Sequence, residues 1–400
     1  MVTVAQAEQI IAQQTRDYGT EYLGYELAMG RMLAEDLIAD RDLPPYNRVT
    51  MDGIAISYSG YASGCRRFDV VTTQAAGDRP AAITADNQCI EIMTGAALPE
   101  TVDTIVRYED LSIENGTATI LIDTIKRGQN VHTRGKDKKQ GDVVAMSGQV
   151  VTPAIISMAA SVGVSRLAVK KLPRVVIVST GDELVGIDET PNPYQIRRSN
   201  SYTIKAALQQ YGIAPDMMHL PDDPDTTYTQ LQAALGAYDV LLLSGGVSMG
   251  KYDYVPSALG RLGVAPGFYK VQQRPGKPFW FGAHASGQLV FAFPGNPVSA
   301  FLCLYRYFIP WLSGIGGSNA KPLYAELAAD LTFKPQLQYF LQVHVSVSEA
   351  GMLVGTPLDG NGSGDFSNLV AANAFMELPL EITTFTAGSV YRMWPFKPIV

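Results

Sequence analysis

The chain has 400 residues, of which 31 are basic and 38 acidic, so its formal net charge is −7. A chain of this length is expected to form about two to four domains, and the acidic balance argues against bulk nucleic-acid binding. Three cysteines without a C-x-x-C pair exclude a zinc ribbon and a disulfide scaffold. No signal-peptide pattern opens the chain and no uninterrupted apolar run is long enough to span a membrane, so we expect a cytoplasmic protein.

Apolar residues at helical spacing predict a helix over residues 3–15. Residues 25–39 are predicted to form a second helix or a helix followed by a turn, which Pro44-Pro45 stops. A further helix is predicted to begin at Thr152-Pro153, where a capping residue precedes a proline. Short β-rich pieces separated by Gly and Asn turns lie between these helices. The predicted domains are a helical dimerisation domain, 1–45 plus 146–172, and an inserted β-rich domain, 46–145.

Strands and helices alternate over residues 173–320, which predicts an α/β domain with a parallel, doubly wound sheet. Three predicted strands end in polar, glycine-rich loops, namely Gly181-Asp182-Glu183, Ser244-Gly245-Gly246 and Pro294-Gly295-Asn296-Pro297. Because parallel strands end at the same edge of a sheet, we expect these loops to line one ligand site. Residues 321–400 return to short strands and turns and are predicted to form a C-terminal β domain.

The loop after residues 240–243 combines an anion cradle with a carboxylate. Ser244-Gly245-Gly246 exposes backbone N–H groups, and Asp253 follows, which suits a phosphorylated, metal-bound ligand. Residues 246–250 also match G-x-S-x-G, the nucleophile elbow of α/β-hydrolases, with Ser248 as the nucleophile. That elbow should follow its strand directly, whereas two glycines intervene here, so the hydrolase interpretation is the weaker one.

Three cations, Lys270, Arg274 and Lys277, flank Pro275-Gly276 in the segment 267–282. The proline presets the backbone, so the charges are expected to be held in place. In an acidic chain, such clustering beside the strand-end loops favours oxyanion binding over a merely solvated face.

Seven motifs in this order resemble the MoeA family, the molybdopterin molybdenumtransferases, which includes the E domain of gephyrin. They are Met51-Asp52-Gly53, Met93-Thr94-Gly95-Ala96, Gly135-Lys136-Asp137, Ser179-Thr180-Gly181-Asp182-Glu183-Leu184, Ser244-Gly245-Gly246-Val247-Ser248-Met249-Gly250 with Asp253, Arg274-Pro275-Gly276-Lys277-Pro278, and Pro294-Gly295-Asn296-Pro297-Val298-Ser299. Each motif alone is weak, but their order over nearly the whole chain is specific.

The resemblance implies an L-shaped, four-part subunit and a homodimer with sites between subunits. It also implies insertion of molybdenum from molybdate into adenylylated molybdopterin, with release of AMP and a divalent cation such as Mg²⁺. The implied partners are the adenylyltransferase of the same pathway and the apo-molybdoenzymes that receive the cofactor.

The resemblance assigns the site residues. The catalytic candidates are Asp52, Thr94 and Asp137, contributed by the neighbouring subunit, together with Glu183 and Asp253. The candidates for binding the cofactor and molybdate are Ser244, Gly245, Gly246, Lys270, Arg274, Lys277, Pro294, Pro297 and Ser299, of which Arg274, Lys277 and Ser299 would hold the molybdate. Because Mg²⁺ prefers oxygen ligands, Glu183, Asp253 and either Asp222 or Asp223 are the metal candidates.

Several positions depart from the family pattern. In the segment from Val49 to Ile54, a hydroxyl that is usual in the family is shifted or missing. His132 stands where the family commonly has an arginine, and so does Gln342 in the C-terminal domain. Gly364 stands where a larger polar residue is common. These departures keep open a molybdopterin-binding paralogue or scaffold with weak or no insertase activity. A molybdopterin adenylyltransferase is a further alternative, although that reaction needs only the central α/β domain.

Overall fold

The computed structural model describes residues 1–246, 254–315, 321–358, 360, 362 and 364–399. The chain divides into two compact units, one formed by Met1–Ala34 with Ala168–Val400 and the other by Glu35–Leu167. The second unit is thus inserted in sequence between two segments of the first.

A six-stranded sheet forms the centre of the first unit. In chain order its strands are Val175–Thr180 (β1), Asp216–Leu220 (β2), Val240–Ser244 (β3), Val264–Tyr269 (β4), Trp280–His284 (β5) and Leu289–Phe293 (β6). Their order across the sheet is β2-β1-β3-β6-β5-β4. Every residue of β1, β3 and β6 is buried, as their apolar runs predict.

The expectation of a parallel sheet is confirmed for β2, β1, β3 and β6 and wrong for the other two strands. β5 pairs antiparallel with β6, and β4 pairs antiparallel with β5. The physical reason is the connection, because β5 and β6 are joined by a tight turn and only antiparallel strands can be joined in that way.

Helices cover both faces of this sheet. Those that connect its strands are Ser199–Gln209, Pro224–Ala237 and Val255–Arg261, and a short parallel ladder pairs Leu184–Val185 with Ile196–Arg197. The N-terminal helix, Val4–Ala12, confirms the first predicted helix and buries Val4, Ala7 and Ile11 in the same core.

The segment 25–39, predicted to form a helix or a helix followed by a turn, forms the second of these, with a helix at Tyr25–Ala28. Gly30 then adopts a positive φ of 76°, and Leu33 forms a β-bridge with Val169. The helix has already ended at Met29, whose ψ is 130°, and the left-handed Gly30 completes the turn.

The helix after β6 is longer than predicted and runs over Pro297–Cys303, Leu304–Phe308 and Ile309–Ile315, of which the middle part is π-helical. Pro310 lacks the N–H that would bond the carbonyl four residues earlier, which explains the wider turn before it. By length and composition the whole helix is apolar enough to cross a membrane, with a mean hydropathy of 1.3. Because 78% of this apolar stretch is buried inside the protein, it is a core helix.

Five strands after this helix close into a small barrel, Leu323–Leu327, Gln338–Val347, Leu353–Pro357, Ala374–Leu378 and Val390–Pro395. Each strand pairs with two others of the set, so the ring has no free edge. A short ladder, Leu331–Thr332 with Thr384–Phe385, and the helix Asn368–Ala371 complete it. Gln273–Arg274 joins the barrel from outside as a parallel addition to Gln338–Tyr339.

The second unit contains a six-stranded sheet, which confirms the β-rich pattern. Its strands, in order across the sheet, are Thr104–Arg107, Gly53–Ile56, Gln88–Ile92, Arg67–Gln74, Thr117–Ile120 and Leu111–Glu114. Two short ladders pair Arg48–Val49 with Val131–His132 and Leu37–Ile38 with Val143–Ala145, and its helices are Tyr58–Ala62, Tyr108–Asp110 (3₁₀) and Pro153–Ser161. Thr152 caps the last of these, as predicted.

Asn373 generates a stability prediction. Its buried side chain accepts a hydrogen bond from the N–H of Val345 and donates one to the carbonyl of Val345, both at 2.7 Å. Asn373→Ala leaves both buried groups unpaired, so we expect the free energy of unfolding to fall by about 2–4 kcal/mol. A shift of the urea midpoint measures this fall, with the exposed Gln336→Ala as control; equal midpoints for the two variants would contradict it.

Candidate active site

The carboxyl ends of β1, β3 and β6 border one cavity of about 280 Å³, here called the strand-end cavity. It is lined by Ser179, Thr180, Glu183, Leu184, Ile196, Arg197, Arg198, Ser199, Asn200, Ser201, Ser244, Gly245, Gly295, Asn296 and Pro297. The three polar loops expected to converge therefore do so. Of the predicted site residues, this cavity brings together Glu183, Ser244, Gly245 and Pro297.

Glycine is required where the loop leaves β3. Gly245 and Gly246 have φ values of +93° and +71°, a conformation that side chains rarely adopt. A Cβ on Gly246 would lie 2.7 Å from the Thr180 hydroxyl oxygen. The Gly245 N–H donates to the carbonyl of Phe293, which ties this loop to the end of β6. The Gly245 N–H is therefore already paired and is not available to an anion, contrary to the expected cradle of exposed N–H groups.

Asn200 is a site residue that was not predicted from the sequence. Its Nδ2 donates to the Ser244 Oγ at 2.9 Å and to the Gly295 carbonyl at 2.7 Å, so it crosslinks two of the three loops. The available signal was its place in the polar run Arg197-Arg198-Ser199-Asn200, where the helix Ser199–Gln209 begins.

Arg197 and Arg198 supply positive charge to the strand-end cavity and were also missed. Arg197 Nε donates to the carbonyl of Glu189 at 3.2 Å. The buried Nε of Arg198 has no hydrogen-bond partner among the described residues. Burial and the neighbouring Arg198 lower the pKa of His219, whose Nδ1 lies 3.0 Å from the Ser179 Oγ. An anionic ligand fits this environment.

The predicted metal ligands do not form a cluster within the part of the chain that is described. No group of three His, Cys, Asp or Glu side chains there is arranged to hold a metal ion. The Glu183 carboxylate lies over Gly181, where a Cβ would approach it to 2.3 Å. Asp223 caps the helix Pro224–Ala237 by accepting from the Thr226 N–H, which lowers its pKa. The described residues therefore contain no three-ligand cluster, and Asp253, one of the predicted ligands, lies outside them.

A second cavity, of about 350 Å³, lies between the cation-bearing loop, the start of the helix after β6 and the barrel, and is here called the cation cavity. Its lining residues are Gln273, Arg274, Pro275, Gly276, Lys277, Pro278, Pro294, Asn296, Val298, Ser299, Leu337, Tyr339, Phe340, Gln342, Leu358, Gly360 and Gly362. No carboxylate is among these described residues. Four predicted site residues, Arg274, Lys277, Pro294 and Ser299, therefore meet here.

Both cations of this cavity are available to a ligand. Neither Arg274 nor Lys277 forms an ion pair with a residue in the described ranges. The Arg274 guanidinium lies 5.8 Å from the centre of the Phe333 ring, which itself stacks on Tyr339. Asn296 lines both this cavity and the strand-end cavity, so the two adjoin.

Gln342 also lines the cation cavity, which places the departure noted in the sequence inside the candidate site. Its buried Oε1 has no hydrogen-bond partner among the described residues. A neutral amide here contributes hydrogen-bonding capacity but no charge. The positive charge of the cavity therefore rests on Arg274 and Lys277.

The remaining predicted site residues of the first unit lie elsewhere. Lys270, at a φ of +67°, has its Nζ 4.8 Å from the centre of the Tyr269 ring and lines neither cavity. Gly246 faces a small space beside Asp222. Ser248 and Asp253 lie outside the described residues.

Asp52, Thr94 and Asp137 all belong to the second unit. Asp52 Oδ1 accepts the Thr94 N–H at 2.6 Å, and hydrogen bonds from Thr94 lower the pKa of Asp52. Asp137 Oδ1 lies 2.9 Å from His132 Nε2, and His132 Nδ1 lies 3.3 Å from Arg48 Nη2. The Val49 N–H donates to the Ala96 carbonyl, and the Val49 carbonyl accepts from the Gly95 N–H. Asp52, Thr94 and Asp137 therefore lie around the short ladder that pairs Arg48–Val49 with Val131–His132. His132 thus positions Asp137.

The chain matches three family models in succession. Residues 2–163 match the MoeA N-terminal region (domain I and II), residues 176–314 a probable molybdopterin binding domain, and residues 324–396 the MoeA C-terminal region (domain IV). The resemblance read from the seven motifs is confirmed by these matches.

Relatives that align over their full length support the same family assignment. A molybdopterin molybdenumtransferase from Synechocystis is 37% identical over 397 residues, covering 98% of this chain and 100% of the relative. One from Haemophilus influenzae is 30% identical over 407 residues and covers 100% of both chains. A crystal structure of a molybdopterin biosynthesis MoeA protein from Pyrococcus superposes with a TM-score of 0.84 at 25% identity, covering 100% of both chains. The chain therefore belongs to the MoeA family of molybdopterin molybdenumtransferases, and its role is that of a transferase in molybdenum cofactor biosynthesis.

Proposed function

We propose that this protein inserts molybdenum from molybdate into adenylylated molybdopterin and releases AMP. The observation that carries the proposal is the pair of adjoining cavities, one with two available cations and the other bordered by strand-end backbone and arginines. A reaction between a small oxyanion and a phosphorylated ligand needs two neighbouring anion-binding sites, and the two cavities provide them.

Molybdate is a tetrahedral dianion, and the cation cavity offers it complementary groups. Arg274 and Lys277 supply charge, while Ser299 supplies a hydroxyl donor. No carboxylate among the described lining residues opposes an anion there. We therefore assign molybdate to this cavity.

The phosphates of the nucleotide are assigned to the strand-end cavity. Ser244 and Gly245 present the loop, Asn200 holds it, and Arg197 and Arg198 offset the negative charge. Cleavage of the phosphoanhydride breaks the bond between a phosphorus atom and the bridging oxygen, and an oxygen of water or molybdate forms the new bond. The positive charge around this cavity stabilises the oxyanion that develops.

Two parts of the assignment stay predictions. The first is Mg²⁺ bound through Glu183, Asp223 and Asp253, for which the described residues form no three-ligand cluster. The second is the contribution of Asp52, Thr94 and Asp137 to catalysis. Asp52 is suited to an ionised role, because its lowered pKa keeps the carboxylate charged down to a pH below its usual range.

Molybdate binding gives the first prediction for this function. Lys277→Gln or Arg274→Gln removes one charge from the cation cavity, so we expect the Kd for molybdate to rise about tenfold, as measured by isothermal titration calorimetry. Lys126→Gln, an exposed lysine of the second unit, is the matched control. An unchanged Kd in both cavity variants would remove molybdate from this cavity.

AMP release gives the second prediction for this function. Purified protein is expected to release AMP from adenylylated molybdopterin only when molybdate is present. Glu183→Gln removes one of the proposed Mg²⁺ ligands, so we expect kcat/KM to fall by roughly 100-fold. Ser248→Ala is the control, because no serine nucleophile is needed. Release that does not depend on molybdate would contradict the insertase, and loss of release in the control would revive the hydrolase interpretation.

The alternative functions are separated by two further measurements. A scaffold with little activity is favoured by the neutral Gln342 in the cation cavity. If Gln342→Arg raises neither molybdate affinity nor AMP release above those of the native chain, the scaffold is favoured over a weakened enzyme. Consumption of ATP with molybdopterin would indicate an adenylyltransferase instead.

We also propose that the protein is a homodimer, with the adenylyltransferase and apo-molybdoenzymes as transient partners in a cytoplasmic pathway. The segment 20–29 exposes four large apolar side chains, Tyr22 at 53%, Tyr25 at 58%, Leu27 at 70% and Met29 at 47%. Grouped exposed apolar side chains of this kind are typical of a protein interface.

Leu27→Glu tests the dimer. A charge in an apolar interface is costly to desolvate, so we expect light scattering to show a shift from twice the chain mass of 43.2 kDa to the monomer mass. Tyr194→Glu, at a side chain that is 88% exposed in another loop, should leave the mass unchanged. A native chain that is monomeric at all concentrations would rule out the dimer.

A further inference from the structure

The strand-end cavity has an apolar side that a phosphate group does not use. Leu184 and Ile196 both line the cavity, and they are register partners in the short parallel ladder. Side chains of register partners lie on the same face of a ladder, so these two form one apolar surface. A phosphate is bound by positive charge and hydrogen-bond donors, which Arg197 and Arg198 supply. The apolar surface is therefore free to contact another part of the ligand.

Ile196 is exposed although its backbone is held in place. Its N–H donates to the Glu183 carbonyl at 2.8 Å, and the Arg198 N–H donates to the Val185 carbonyl at 3.1 Å. The residue nevertheless stays 60% exposed, because the chain does not cover its side chain. A ligand that covers this side chain gains the free energy of removing apolar surface from water.

Tyr194 is a second exposed side chain beside this surface. It is 88% exposed, and its Cα lies at most about 7 Å from that of Ile196, because the two are only two residues apart. The Tyr194 N–H donates to Asn192 Oδ1 at 2.9 Å, and the Asn192 N–H donates to Gln195 Oε1 at 3.3 Å. The turn is thus preset, which lowers the cost of ordering the ring against a ligand. Leu184, Ile196 and Tyr194 are here called the apolar rim.

The size of the strand-end cavity separates a phosphate from the rest of a nucleotide. Its volume of about 280 Å³ is below the range of about 300–1,000 Å³ that is typical of cavities enclosing a small molecule. A nucleotide whose phosphate occupies this cavity therefore keeps its base, which is joined to the phosphate through the ribose, at the mouth. Ile196 belongs to the lining and is also largely exposed, so it lies at that mouth.

We propose that the apolar rim binds the base of the nucleotide, with the planar ring lying on Ile196 and stacking on Tyr194. The inference rests on the proposed function, in which the phosphates of the adenylylated substrate occupy the strand-end cavity. Stacking uses the π-face that every base has, so the apolar rim recognises the presence of a base and not its identity. The base then contributes affinity that the phosphate alone cannot supply.

Isothermal titration calorimetry of the full chain with AMP and with ribose 5-phosphate, which lacks the base, tests the apolar rim. The native chain is expected to bind AMP at least about tenfold more tightly than ribose 5-phosphate. Tyr194→Ala removes the stacking ring, so the Kd for AMP should rise about three- to tenfold, whereas Tyr194→Phe should keep it within about twofold. Ile196→Ala should raise it about threefold. None of these variants should change the Kd for ribose 5-phosphate.

Tyr324→Ala is the matched control, because Tyr324 is 53% exposed on a barrel strand outside this cavity, and both Kd values should stay unchanged. Equal Kd values for AMP and ribose 5-phosphate in the native chain, or an unchanged Kd for AMP in Tyr194→Ala, would overturn the apolar rim as a base site. Molybdate-dependent AMP release in that case would leave the proposed function standing. A native chain that binds neither ligand would overturn both the phosphate assignment and this inference.

Discussion

The buried amide of Gln273 is the contact on which the cation cavity depends. Its Nε2 donates to the carbonyl of Gly276 at 3.2 Å, and its Oε1 accepts from the Tyr307 hydroxyl. A side chain at Gly276 would come within 2.7 Å of that Nε2. One amide therefore shapes the turn that carries Arg274 and Lys277, and anchors it to the helix after β6.

The same short segment attaches the loop to the barrel. Gln273 and Arg274 pair with Gln338 and Tyr339, and the barrel strand that begins there carries Gln342 into the cavity. The cations are thus held by backbone hydrogen bonds on one side and by a buried side chain on the other. Both restraints reduce the freedom that a bound oxyanion would otherwise have to remove.

An acidic chain can bind anions because charge acts locally. The net charge is −7, yet the lining of the cation cavity contains two cations and, among its described residues, no carboxylate. In the strand-end cavity Arg197 and Arg198 accompany Glu183. The potential at a cleft is set mainly by the charges within about 8 Å at physiological salt, so the net charge of the whole chain is a poor guide to the ligand of one cleft.

Short-range patterns were enough to predict much of this protein. Buried apolar runs located β1, β3 and β6, and the glycines that follow them located the loops, because strand ends and positive φ angles are properties of a few neighbouring residues. The order of the motifs identified the family. What only the tertiary structure decided is which distant side chains meet. Asn200, which crosslinks two loops, and Gln273, which ties the cation turn to Tyr307, depend on packing between segments far apart in sequence.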